Sequence, residues 1–188
     1  MTLLVVGLIL FLGVHSISIF ANSWRDRTAE RLGIRWRGLY SLLALVGLIL
    51  IIKGYAAARL TPIVIYVPPY WIKRLTDTLM LPVFPLLLAT YLPGRIKTTV
   101  KHPMLAAVKL WAFAHLLANG MLADVLLFGG FLVWAIVDRI SLKRRPQRPI
   151  KTAPSGKYND WIAVIGGVVL YGLVMGWAHL KFIGVRPF

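Results

Sequence analysis

The sequence contains no cysteine and very few acidic residues. Only 6 of its 188 residues are Asp or Glu, and Glu30 is the one glutamate. The absence of cysteine excludes disulfides, thiolate metal ligands and a cysteine nucleophile. The sequence also lacks an HExxH motif, paired carboxylates within an apolar run, and a glycine-rich phosphate loop. Hydrolytic chemistry is therefore not expected.

Apolar residues dominate the rest of the composition. The chain is 59% hydrophobic and its mean hydropathy is +0.75, which is typical of an integral membrane protein. The net charge of +16 comes from Lys and Arg in short loops between apolar runs. Loops of this kind carry membrane-orientation signals, so the lipid bilayer, and not nucleic acid, is the predicted partner.

Six apolar stretches are long enough to cross a bilayer. They predict an all-α bundle of about six transmembrane helices that forms one domain over residues 1–188. The first stretch has no basic segment before it, so we interpret it as a retained span and not as a signal peptide. Pro82 and Pro85 predict a kink in the third span. The predicted spans are approximately 2–21, 39–58, 70–92, 103–119, 121–139 and 161–180.

The distribution of Lys and Arg predicts the orientation of the bundle. The loops after spans one, three and five carry 15 of these residues. The other interfaces and the C-terminus carry six, Arg186 among them, and Lys109 lies within a span. Because basic loops stay in the cytoplasm, both termini are predicted to be non-cytoplasmic.

The stretch 101–120 concentrates the polar chemistry of the spans. It contains His102, Lys109, His115 and Asn119 within the sequence KHPMLAAVKLWAFAHLLANG. Polar and ionisable groups are costly in hydrocarbon, so a span that keeps them usually has a functional reason.

Histidines in the apolar zone are candidate metal ligands. His15 and His115 each lie inside a span, and either could form a helix–helix hydrogen bond. Neutral imidazole is also a usual axial ligand of haem iron, and a bis-histidine haem would account for both residues. His102 precedes Pro103 at the cytoplasmic edge, where it is an interfacial cap or a ligand. His179 is predicted to be interfacial.

Two further residues of span four have a structural and a functional interpretation. Lys109 either extends toward the cytoplasmic headgroups or forms an ion pair with a haem propionate or with Asp138. Asn119 follows His115 by four residues, so the two share a helix face and Asn119 can support that histidine.

Four segments make the chain resemble the NnrU family of bacterial membrane proteins. They are GVHSISIFA at 13–21, RWRGLYSL at 35–42, the stretch at 101–120, and FGGFLVWAIVDRISLKRR at 128–145. The resemblance covers nearly the whole chain. It implies a multi-pass protein of the bacterial inner membrane that is linked to nitrite and nitric oxide reduction in denitrification.

The NnrU family is similar in turn to 15-cis-ζ-carotene isomerase, which uses haem b held by histidines. This similarity implies haem b as the cofactor, His15 and His115 as its iron ligands, and redox-dependent activity on a lipophilic substrate. The chain departs from the isomerase pattern at Ala112, where the isomerase has a cysteine proposed as an alternative iron ligand. Ligand exchange of that type is therefore not expected.

Two other functions stay open at this point. One is a non-enzymatic membrane accessory protein for the assembly or expression of a reductase system, with its histidines used for packing. The other is a membrane methyltransferase, which Lys101-His102-Pro103 resembles weakly. No glutamate follows Glu30 to complete that motif. The sequence also leaves open whether His15 or His102 pairs with His115.

Overall fold

The computed structural model describes residues 1–146 and 148–185 of the chain. Arg186, which entered the orientation count, lies outside the described residues. The described chain is helical, and a π-helical turn at Val174–Ala178 connects its last two helices. The helices are α1 (Thr2–Phe20), α2 (Asn22–Leu32), α3 (Ile34–Ala58), α4 (Ile72–Met80), α5 (Val83–Ala89), α6 (Arg95–Val100), α7 (Pro103–Ala118), α8 (Leu122–Ser141), α9 (Asn159–Leu173) and α10 (His179–Ile183).

The helices form two compact units. The first unit comprises residues 1–67 and 120–146, and the second comprises residues 68–119 and the chain that follows 146. The first unit therefore holds α1, α2, α3 and α8, and the second holds the remaining helices. That residues 1–188 form one NnrU-like domain stays a prediction.

Three helices are long and apolar enough to cross a membrane. They are Thr2–Phe20, Ile34–Ala58 and the continuous helical stretch Asn159–Ile183, and they correspond to predicted spans one, two and six. Helix α7 is a shorter apolar helix of 16 residues. Helix α8 has 20 residues but carries Asp124, Asp138 and Arg139. Six spans and the orientation of the termini stay predictions.

Predicted span three is two helices and not one. Helix α4 ends at Met80 and α5 begins at Val83, so the chain bends at Leu81 and Pro82. Proline has no N–H and clashes with the preceding turn, which breaks the helical hydrogen-bond pattern. The break at Pro82 agrees with the predicted kink, and a membrane span over 70–92 stays a prediction.

Glycines bring α1 and α3 into close antiparallel contact in the first unit. A Cβ added at Gly7 would lie 2.6 Å from the backbone nitrogen of Ile51, and one added at Gly47 would lie 2.8 Å from that of Phe11. A Cβ at Gly54 would overlap the backbone of Leu4. Small residues at a membrane helix interface allow this approach, which increases van der Waals contact.

Helix α8 completes the first unit and runs parallel to α1. Phe131 of α8 lies 5.7 Å from Phe11 of α1, measured between ring centroids. The proline-rich link before α4 has no helix until residue 72, as its three prolines predict. The backbone nitrogens of Ile65 and Tyr66 donate to the carbonyl of Gly120, which holds this link against the start of α8.

The second unit packs α4, α5, α7 and α9 around an apolar core. Met80, Val83, Ala107 and Ala114 are buried at its centre. Helices α5 and α9 approach closely, because a Cβ at Gly167 would overlap the backbone of Pro85. This packing fixes α7, the helix that carries most of the polar residues singled out above.

Candidate functional site

His15 is held in a defined orientation on α1. Its Nδ1 lies 2.7 Å from the backbone carbonyl oxygen of Phe11, one helical turn earlier. A carbonyl can only accept a hydrogen bond, so Nδ1 carries a proton, and in the neutral ring the lone pair would be on Nε2. Metal-binding histidines commonly have this arrangement, in which one ring nitrogen donates to a carbonyl and the other coordinates.

Aromatic side chains from three helices surround the His15 ring. Phe11 stacks on it at 4.3 Å between ring centroids, Tyr40 of α3 meets it edge-on at 5.4 Å, and Trp134 of α8 at 6.0 Å. The indole Nε1 of Trp134 is buried and has no hydrogen-bond partner among the described residues. A buried donor without an acceptor is costly, so it marks a place where a ligand could supply one.

His115 has the same local geometry on α7 in the second unit. Its Nδ1 lies 2.9 Å from the carbonyl oxygen of Trp111, and the two rings are 5.5 Å apart. Nδ1 is again the protonated nitrogen, which directs the lone pair of the neutral ring to Nε2. In both histidines Nδ1 is therefore held by a carbonyl of the residue's own helix.

Asn119 contacts the backbone of His115. Its Nδ2 and its backbone nitrogen each donate to the carbonyl oxygen of His115, both at 2.9 Å. Asn119 thus closes the last turn of α7, whose final carbonyls have no partner within the helix. Its predicted support of the imidazole ring stays a prediction.

His102 and Lys109 lie at the start and in the middle of α7. His102 is the residue before the helix, and its carbonyl oxygen accepts from the backbone nitrogen of Ala106 at 3.1 Å. Pro103 occupies the first turn, where its missing N–H costs nothing. Both His102 and Lys109 are half-buried. Four of the five predicted site residues therefore belong to α7 and its ends, whereas His15 belongs to the first unit.

Two buried carboxylates have partners that the sequence did not identify. Asp124 is only 2% exposed and accepts hydrogen bonds from the Tyr55 hydroxyl at 2.6 Å and from the backbone nitrogen of Met121 at 2.9 Å. Partial burial, and after it the nearby carboxylate of Asp124, raise the pKa of the Tyr66 hydroxyl.

The second buried carboxylate is Asp138, which forms an ion pair with Arg145. Arg145 also donates from Nη1 to the carbonyl oxygen of Ser18 at 3.0 Å. The predicted pairing of Lys109 with Asp138 stays a prediction, and Arg145 supplies a cation for that carboxylate in the first unit. No pattern in the sequence distinguished Arg145 from the other basic residues of its loop.

Comparison with known proteins identifies the family. A family model described as "NnrU protein" matches residues 3–187, which is nearly the whole chain. No curated protein and no solved structure matches the chain. The match includes both histidine-bearing helices and the helices that pack on them, and on this ground the chain belongs to the NnrU family.

Proposed function

We propose that this NnrU-family protein binds haem b in the bacterial inner membrane through its membrane histidines. The protein takes part in nitrite and nitric oxide reduction, and its haem supports redox-dependent, isomerase-like activity on a lipophilic substrate. The three long apolar helices support a place in the bilayer. The role in denitrification rests on the resemblance described above.

The proposal includes six spans with both termini non-cytoplasmic. Helix α8, at 20 residues, is about 30 Å long, which matches the hydrocarbon thickness. Helix α7 and the broken pair α4 and α5 complete the count. The excess of Lys and Arg in three alternate loops supports the orientation.

The observation that carries the proposal is the hydrogen bond from His15 to Phe11. It holds the ring through Nδ1, so that the neutral imidazole would present the lone pair of Nε2, the form that haem iron requires. The aromatic side chains of Phe11, Tyr40 and Trp134 pack around the half-buried ring. The buried Nε1 of Trp134 offers a donor to a polar group of whatever binds there. The residues present therefore fit a haem ligand site.

The other predicted residues enter the proposal with separate roles. His115 is the second iron ligand, because its Nδ1 is bound in the same way as that of His15. His102 is the alternative ligand. Lys109 interacts with a propionate, since Asp138 already has Arg145 as its ion-pair partner. Asn119 fixes the end of the helix that carries His115.

Haem supplies redox chemistry when bound, and the protein supplies ligands, orientation and a dry environment. The chain's own residues hold the two imidazoles through Nδ1 and pack aromatic rings against them. Thiolate ligation is not part of the proposal, because Ala112 stands where the isomerase has cysteine.

A second candidate function is a non-enzymatic accessory role for a reductase system. The contacts of His15 with three aromatic rings favour it, because such contacts also suit a histidine used only for packing. Under this alternative, nitrite reduction in cells would be unchanged when His15 and His115 are replaced by variants that still fold.

An absorption spectrum of the full-length protein tests the proposal. The protein is purified in detergent from haem-replete cells, and spectra are recorded before and after dithionite reduction. We expect a Soret band with sharp reduced α and β bands, which His15→Ala and His115→Ala each abolish or convert to a five-coordinate spectrum. His179→Ala is the matched control, because His179 is not among the proposed ligands. Its Nδ1 lies 2.7 Å from the carbonyl oxygen of Val185. A colourless wild-type protein would overturn the proposal and favour the accessory role.

A further inference from the structure

A cleft opens where α1 and α8 end side by side in the first unit. Its volume is about 420 Å³, within the range of small-molecule sites. Its lining combines apolar and cationic side chains, among them Ile19, Phe20, Val137, Ile140, Arg144 and Arg145. Such a lining matches a ligand that has both a hydrocarbon part and an anionic part.

Arg145 is held in this cleft by two hydrogen bonds. Its side chain is 13% exposed, and its Nη1 and Nη2 bind the Ser18 carbonyl and the Asp138 carboxylate. Its Nε is buried, so the exposed part of the guanidinium is what lines the cleft. Guanidinium groups bind phosphate oxygens strongly, and a group that is already held in place loses little freedom when it does so.

Arg144 gives the cleft its net positive charge. The charge of Arg145 is balanced by Asp138, whereas Arg144 is exposed and forms no ion pair with the residues that the structure describes. An anion in the cleft would therefore meet one guanidinium whose charge is balanced by Asp138 and one whose charge is not.

The position of the cleft identifies the source of the anion. Helix α1 is a candidate membrane span and ends at Phe20, so the cleft lies at the level of the lipid headgroups. Anionic phospholipids gather at basic residues next to membrane helices. A soluble anion would have no use for Ile19, Phe20 and Ile140, whereas the acyl chains of a lipid would pack on them.

We propose that this cleft is a binding site for an anionic phospholipid. The lipid phosphate lies between the guanidinium groups of Arg144 and Arg145, and the first carbons of its acyl chains pack against Phe20 and Ile140. The site is separate from the proposed haem ligands and does not depend on haem being bound.

Native mass spectrometry of the full-length protein tests this site. The protein is released from detergent in the presence of phosphatidylglycerol or of phosphatidylcholine with the same acyl chains. We expect phosphatidylglycerol adducts to be retained in preference, and Arg144→Gln to reduce their retention about fivefold. Lys143→Gln is the matched control, because Lys143 is exposed, carries the same charge one residue earlier, and does not line the cleft.

Two further measurements separate the alternatives. Arg145→Lys keeps the charge but removes the guanidinium group, so it should also reduce the retention of phosphatidylglycerol. Thermal unfolding of this variant shows whether the fold survives. Inorganic phosphate at millimolar concentration should not displace the lipid. Equal losses in Arg144→Gln and Lys143→Gln would overturn the proposal in favour of general surface charge. Full displacement by phosphate would overturn it in favour of a free-anion site.

Discussion

The hydroxyl of Tyr55 on α3 donates a 2.6 Å hydrogen bond to Oδ1 of Asp124, a carboxylate that is 2% exposed. The same carboxylate caps the first turn of α8 by accepting from the backbone nitrogen of Met121. This pair therefore connects the end of one helix to the beginning of another within the first unit.

Replacing Tyr55 with Phe should destabilise the protein. The change removes one donor from a buried carboxylate, and hydrogen bonds to charged groups contribute about 1.5–3 kcal/mol. We expect a lower midpoint of thermal unfolding in detergent, followed by tryptophan fluorescence. Tyr70→Phe is the control, because Tyr70 is 82% exposed and its variant should unfold at the wild-type temperature. Equal midpoints for Tyr55→Phe and wild type would show that the bond contributes nothing.

The contrast between this pair and the helices shows what the sequence could predict. The apolar runs gave the bounds of α1 and α7 within a residue or two, because the length of a run sets the length of a span. The break at Pro82 was also predictable, since proline acts locally. Tyr55 and Asp124 are 69 residues apart, and their contact depends on how two helices rotate about their axes. No local pattern carries that information.

The same reasoning applies to the surroundings of His15. Phe11 precedes it by four residues, so their contact follows from helix geometry alone. Tyr40 and Trp134 come from other helices, so their contacts with His15 depend on how those helices pack against α1. The ion pair of Asp138 with Arg145 was also not predicted. The loop after α8 contains several basic residues, and the sequence does not show which of them reaches Asp138.

Alanine substitution at two glycines of α1 should affect the free energy of unfolding differently. A Cβ at Gly7 would lie 2.6 Å from the nitrogen of Ile51, whereas a Cβ at Gly13 meets no atom within 4 Å. Gly7→Ala should therefore separate α1 from α3 and lower the free energy of unfolding by about 1–3 kcal/mol. Gly13→Ala should leave it unchanged or raise it by up to about 1 kcal/mol, because alanine favours the helix.

Thermal unfolding of the two glycine variants in the same detergent measures this difference. Both changes add one methyl group to one helix, so each controls for the added apolar surface of the other. A Gly7→Ala variant as stable as Gly13→Ala would contradict the close packing of α1 on α3.

The segment before α9 should be protected from proteolysis by Asn159. In the structure, Nδ2 of Asn159 donates to the carbonyls of Pro93 and Pro154 at 2.8 and 3.0 Å. Asn159→Ala removes both bonds, which together contribute about 2 kcal/mol. We expect trypsin to cut this variant at Lys151 and Lys157 more than tenfold faster than wild type. The rate follows the population of the opened segment, because the segment opens and closes faster than trypsin cuts it.

The matched control for Asn159 is Ser155→Ala, a change in the same segment at an exposed residue. Cleavage is followed by gel electrophoresis and mass spectrometry of detergent-solubilised protein. If wild type and Asn159→Ala are cut at the same rate, the two hydrogen bonds do not hold the segment in place.

Restoring the missing cysteine should not restore thiolate ligation. Ala112 is fully buried on α7, at 0% exposure, within the packing of the second unit. The sulfur of an Ala112→Cys variant would be enclosed by protein atoms, and the extra atom would cost about 1–3 kcal/mol of stability. If the protein binds haem as proposed, the Soret band of this variant should stay at the wild-type position, while its thermal midpoint falls. A red-shifted, thiolate-type spectrum would show instead that position 112 reaches the iron. The presence of alanine or cysteine at this position would then determine how the iron is coordinated.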